Sequence, residues 1–269
     1  MRPIPRFWQP ARADVEHEGR RVPLRVWGWS IESAAEAADR ARQRLAAAVE
    51  QLTRGRPGFD YYPRSPLREE LLHEVRGADG ALLGAVTRNR MGVDVLNTDV
   101  VLFADVDLPQ QRKGLLRRKV LADPGPALAR IAHWAAAHPR LGVRTYRTAA
   151  GLRVLITGLP TGPPDLGILV ELGSDDLYVM LCGHHETSRA RLTPKPERVG
   201  TGRIPHSWPY DAQTGPVATT WLGDYARACT GHAVCELLSV TGPPPDPDEV
   251  ALVDLHDRVT QASSGLPLA

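Results

Sequence analysis

The chain has 269 residues, 42% of them hydrophobic and 24% charged, with a formal charge of +2. That length can bury a full core, and the near-neutral balance does not demand nucleic acid as a partner, although clustered arginines would still welcome anions. Met1–Pro5 lacks an apolar core of signal-peptide length, no later run approaches 18 apolar residues, and three cysteines make no disulfide framework. The expectation is a cytoplasmic protein without membrane contact.

Residues 22–28 alternate well enough for a short strand. Beyond Ser30, small and apolar residues at 34, 38, 41, 45, 48 and 52 mark one stripe of an amphipathic helix that ends at the Arg54–Gly58 stretch. Trp27 and Trp29 share a strand face, where they either pack against this helix or stack bases. A turn-rich piece over 58–66 leads to two strands, Leu71–Arg76 and Ala81–Thr87, whose Asp79-Gly80 pair signals a hairpin. A third strand, Asp94–Leu96, runs through Asn97-Thr98 into the apolar segment Val100–Ala104. The basic stretch Arg112–Lys119 reads as an exposed helix face or as a contact for a nucleic-acid backbone. Residues 125–138 form a second helix with Leu128, Ile131, Ala132 and Ala135 on its buried side, started by Asp123-Pro124. Strands at Val143–Thr148 and Leu152–Thr157 follow, joined at Ala149-Ala150-Gly151. The second half is less regular: a turn at Pro160–Pro164, a strand at Asp176–Leu181, a helix within Trp221–Cys229, and a last helix near 248–260 after a proline-rich break. This order predicts an α+β fold over 1–269, with subdomains at 1–75 and 76–240 and a C-terminal extension at 241–269.

The chemistry concentrates at Asp105-Val106-Asp107, which closes the apolar segment. If this is a strand, the two carboxylates leave the same face about 7 Å apart and need a compensating charge. A divalent metal, Mg²⁺ or Mn²⁺, bound to a phosphate substrate supplies one. In the later hairpin Arg153 and Leu155 face one way and Val154 and Ile156 the other, so Arg147 and Arg153 are candidates to stand on the carboxylate face. Gly151 would allow a positive φ and close approach of a phosphate. Downstream, Arg189 and Arg191 alternate, and Lys195 is held between Pro194 and Pro196. Rigid, closely spaced cations of this kind suit a phosphate chain. The plainer alternative has Asp107 capping a turn before Pro109 and Asp105 paired with Arg147.

An Asp-x-Asp at a strand end, then a helix, then a hairpin carrying a small hydroxyl residue and Gly, resembles the catalytic core of the archaeo-eukaryotic primase (primase-polymerase) superfamily. The resemblance covers residues 80–160. It implies an RRM-like catalytic sheet backed by helices, with Asp105 and Asp107 as the catalytic, metal-binding pair. Thr148 and Gly151 would approximate the nucleotide-contacting motif, in which Arg153 stands where a histidine is expected. A third acid would come from Asp175, Asp176, Asp224 or Glu236, with Glu236 the first choice. The implied activity is metal-dependent nucleotidyl transfer by a monomer acting on a nucleoside triphosphate and on DNA or RNA. Arg147, Arg153, Arg189, Arg191 and Lys195 would hold the phosphates. An inactive nucleotide-binding module and a metal-dependent phosphodiesterase are the competing readings. Cys182, His184, His185, Cys229, His232 and Cys235 have the ligand types for zinc, although cysteines within a helix are ordinarily core residues.

Overall fold

The computed structural model describes residues 3–54, 66–113 and 118–269. The piece expected to be turn-rich over 58–66 therefore falls almost wholly outside the described residues. The chain divides into two compact units, the first covering Pro3–Leu71 and the second Leu72–Ala269. Among the described residues no helix is long and apolar enough to cross a membrane.

In the first unit, strands β1 (Phe7–His17) and β2 (Arg20–Ser30) form an antiparallel ribbon in which Trp8 opposes Trp29. Helix α1 (Ala34–Thr53) starts at Ser33, whose hydroxyl accepts the Glu36 amide, and buries Ala37, Ala41 and Ala48. The expected stripe holds except at its start, where Ala34 is exposed and Ala37 takes the buried place. Gly28 is what lets the helix sit so close to the ribbon: a Cβ there would lie 2.1 Å from the Ala37 carbonyl oxygen and 2.2 Å from the Ala41 nitrogen. Trp27 is contacted over its ring by Arg25 and Arg68, and Trp29 by Arg44, while Trp29 also packs against Trp8.

The second unit holds two four-stranded sheets. In one, β11 (Ser188–Arg191), β5 (Asp94–Thr98), β4 (Leu82–Arg88) and β3 (Glu70–Arg76) lie in that order. The Asp-Gly turn closes its hairpin, with the Gly77 amide donating to Ala81 and the Gly80 amide to Gly77. In the other the order is β12 (Cys235–Thr241), β9 (Gly142–Thr148), β10 (Gly151–Thr157) and β6 (Leu102–Asp107). Strand β10 is antiparallel to both neighbours, so β6 and β9 run parallel on either side of it and are joined by helix α2 (Gly125–Ala137). The basic stretch contributes to two paired antiparallel strands, β7 (Gln110–Lys113) and β8 (Arg118–Leu121), and not to the helix allowed for it; residues 114–117 lie outside the described residues.

Alternation sorts the second sheet into two faces. Leu102, Ala104, Val106, Val154 and Ile156 pack with Ile131 and Trp134 of α2 and with Leu169 and Leu172 of α3 (Leu166–Leu172). Phe103, Leu155 and Tyr146 pack on the opposite face with Leu83, Leu96 and Leu252. Burial on both faces explains the unbroken apolar run in β6. Ala132 of α2 is exposed and Trp134 is buried in its stead, its indole N–H donating to Glu171 at 2.8 Å. The expected strand at 176–181 is helix α4 (Asp176–His185), capped by Asp175 on the Tyr178 amide. Its β-branched and aromatic residues suggest a strand, but the cap and the absence of any alternation favour a helix. Helices α5 (Thr214–Cys229) and α6 (Pro247–Thr260) complete the unit. Leu252 and Val253 of α6 belong to the core, so residues 241–269 are part of the unit and not an appendage.

Candidate functional site

The register of β6 on β10 places Arg153 directly opposite Asp105, and Gly151 opposite Asp107. Cross-strand partners share a face, so Asp105 and Arg153 stand on the face of Phe103 and Leu155. The guanidinium forks onto the carboxylate, Nε to Oδ1 at 2.7 Å and Nη2 to Oδ2 at 3.1 Å. Its remaining nitrogen, Nη1, donates to the Arg191 carbonyl at 2.8 Å and lies 3.3 Å from Nε2 of His256. The Arg153 side chain is 1% exposed and that of Asp105 33%, so the arginine is enclosed while the carboxylate still reaches the surface.

Behind Arg153 the network continues into α6. His256 Nδ1 lies 2.9 Å from Asp257 Oδ1, which also accepts the Tyr146 hydroxyl at 2.7 Å, and Arg144 binds Asp257 Oδ2 at 2.8 Å. One tautomer satisfies both contacts: a neutral ring donating from Nδ1 to Asp257 and accepting at Nε2 from Arg153. Burial lowers the His256 pKa, and the Arg153 charge lowers it further against the pull of Asp257. For Asp105, burial works against ionisation, but Arg153 and then Arg191 outweigh it and leave the pKa below the usual range. Burial likewise opposes the Arg153 charge, which Asp105 more than restores.

The segment from β11 onward lies near Asp105, whose charge Arg191 helps to stabilise. Ser188 and Tyr178 tie β11 to β6: the Phe103 amide donates to Ser188 Oγ at 2.7 Å, and the Tyr178 hydroxyl reaches the carbonyls of Phe103 and Arg189. Arg189 and Arg191 lie on one face of β11 by alternation. Lys195 starts a 3-10 turn, Pro196–Arg198, and the loop around it is pinned by the Tyr225 hydroxyl on the Pro194 carbonyl and by the Thr201 amide on Pro196.

This arrangement crowds cations. Burial, with repulsion from Arg153 and Arg198, pulls the Arg191 pKa down to about 10 although Asp105 opposes the shift. Burial, Arg191 and Arg198 lower Lys195 in the same way, against Glu197 and Asp107. Among the described residues, two buried nitrogens of this cluster, Arg191 Nε and Arg198 Nη1, have no hydrogen-bond partner. A buried, charged donor is costly to leave unpaired, so these two nitrogens mark where a water or an anion oxygen would be held.

Several expected site residues go elsewhere. Arg147 pairs with Leu152 on one side and Glu236 on the other, so both charged residues stand on the α2 face, away from Asp105, and both are exposed. Thr148 uses its hydroxyl to accept the Gly151 amide at 3.0 Å and so caps its own hairpin. Gly151 has no positive φ; a Cβ there would lie 2.1 Å from the Val106 carbonyl oxygen, so its close neighbour is the β6 backbone and not a ligand. Of the other acids, Asp175 caps α4 while its amide donates to the Asp105 carbonyl at 3.3 Å; Asp176 is exposed in the first turn of α4; and Asp224 pairs with Arg227. Arg198 and His256 are the site residues that sequence reading passed over. Arg198 follows the Pro-Lys-Pro segment closely, whereas nothing local marks His256.

Both oxygens of Asp105 are engaged by Arg153, and among the described residues no group of three His, Cys, Asp or Glu side chains converges to hold an ion. The zinc alternative meets the same result, with Cys182 in the core on the α2 face and Cys235 in the core on the other. Comparison with protein-family models, with curated proteins and with solved structures finds no match to the chain.

Proposed function

We propose that this protein is a nucleotide-binding module in which the cation cluster of Arg191, Lys195 and Arg198, near Asp105, holds the phosphates of its ligand. The observation that carries this reading is the pair of buried, unpartnered guanidinium nitrogens, Arg191 Nε and Arg198 Nη1, in a cluster of cations that repel one another. A phosphate oxygen would satisfy both nitrogens and relieve the repulsion. The primase-type reading of the sheet is part of the proposal. In its favour is the split βαβ arrangement of β6, α2 and β9 with β10 inserted between the parallel strands, as in RRM-like sheets; against it, β12 flanks β9, where an RRM-like fourth strand would flank β6. Nucleotidyl transfer through a metal on Asp105 and Asp107 is the weaker reading, because Arg153 would first have to release Asp105.

The test is equilibrium binding of adenosine triphosphate by calorimetry. Arg191→Met should weaken it about 10- to 100-fold, the worth of a hydrogen bond to a charged group. Arg147→Ala, on the far face of the sheet, should leave it unchanged. Equal affinities for the wild type and Arg191→Met would end the proposal.

A further inference from the structure

The charge that a carboxylate pair requires is already inside this protein. Arg153 meets Asp105 as a divalent ion would, through both carboxylate oxygens, and it is fixed from behind by the Arg191 carbonyl and His256. A metal-chelated phosphate chain would carry less negative charge to a cluster that already holds Arg153, Arg191, Lys195 and Arg198, and would be attracted less than the metal-free chain. Like charges brought together in a partly desolvated site oppose binding.

We infer that Arg153 is the resident counter-cation of this pocket and that the ligand is a metal-free polyphosphate, bound without a divalent ion. The inference rests on the phosphate-binding reading above, which could hold while this one fails. It names the ligand's form: a chain of phosphates bearing its full negative charge, whose oxygens face Arg191 and Arg198 and not a bridging ion. The carboxylate of Asp105 neutralises Arg153 from within, so the charge left for the ligand is that of the three outer cations.

Inorganic tripolyphosphate separates the possibilities, because it carries the phosphate chain without a base or sugar. Titrated into the wild-type protein in EDTA, it should bind, and excess Mg²⁺ should weaken apparent binding at least about tenfold. Mn²⁺ titrated alone, followed by electron paramagnetic resonance, should remain free. Binding that appears only with Mg²⁺ or Mn²⁺ would overturn the inference and leave the phosphate pocket standing. No binding in either buffer would overturn the pocket itself. Arg153→Met adds a second measurement if it folds: metal-free binding should be lost and should return with Mn²⁺. Should that variant not fold, the wild-type titrations decide the question by themselves.

Discussion

Asp105→Asn isolates what Asp105 does in the folded protein. The change keeps size and shape but removes the charge that both arms of the Arg153 fork engage. Arg153 has a side chain only 1% exposed and has Arg191 as a repelling neighbour, so its guanidinium would be left buried and uncompensated. Breaking a buried pair from one side costs about 3–5 kcal/mol, and the partial exposure of Asp105 favours the lower end. For a unit of this size each kcal/mol moves the melting temperature by about 2–4 °C, so a fall of about 6–12 °C is expected. The assay is thermal unfolding in EDTA, with Asp107→Asn as the control. Asp107 is exposed at the strand end, and its replacement should stay within about 0.5 kcal/mol of wild type. Two carboxylates that only repelled each other would give the opposite sign, a stabilised Asp105→Asn. Equal melting temperatures for the two variants, or a rise for Asp105→Asn, would refute the reasoning.

Three further outcomes follow from the same geometry. Arg191→Met should raise the melting temperature of the ligand-free protein. The folded state disfavours the Arg191 charge, because burial and its cationic neighbours pull the pKa down to about 10, and removing that charge should return about 1–3 kcal/mol at neutral pH; a lowered melting temperature would contradict the crowding of cations described here. His256→Gln should flatten the pH dependence of stability between pH 7 and 5. Burial and Arg153 hold the folded imidazole neutral, so stability is complete above the unfolded value near 6.5 and falls below it, by up to about 1.4 kcal/mol per pH unit. Glutamine preserves a donor and an acceptor, the other histidines are shared by both proteins, and identical slopes would exclude His256 as the cause. Asp105 and Asp257, whose folded pKa values are lowered, add a separate loss at still lower pH, below about 4. Gly28→Ala should destabilise the Pro3–Leu71 unit by about 1–3 kcal/mol, because a Cβ meets backbone atoms of α1 that cannot rotate away. Limited proteolysis of α1 would report it, and unaltered protection would count against the close packing.

Local pattern carried much of the architecture. The two-residue period of β10 put Arg153 with Leu155 and away from Val154 and Ile156, and the same period put Asp105 with Phe103. The alanine stripe located α1, and the Asp-Gly pair located the turn before β4. Composition misled where it stood in for pattern: Tyr178 and Val179 of α4 are strand-forming types, yet the Asp175 cap and the helix-forming Met180 and Leu181 set a helix. Helix α3 is only seven residues long, too short for its periodicity to stand out, although Asp165 caps it and Gly173, at φ 78°, ends it.

What the sequence determined by itself, then, is which residues share a face and where the charged groups gather along the chain. Which of them meet is a matter of register between strands and helices distant in sequence, and only the tertiary structure decides that. Arg147 and Arg153 were equal candidates to face Asp105 until the pairing of β10 with β6 and β9 put them on opposite faces. Asp105 meets Arg153 across 48 positions, and Arg153 meets His256 across 103. Side-chain period is a property of each strand's own backbone, whereas register is set by burial of the whole sheet. For that reason the acidic pair could be found in the sequence, while the arginine that answers Asp105 could be identified only in the fold.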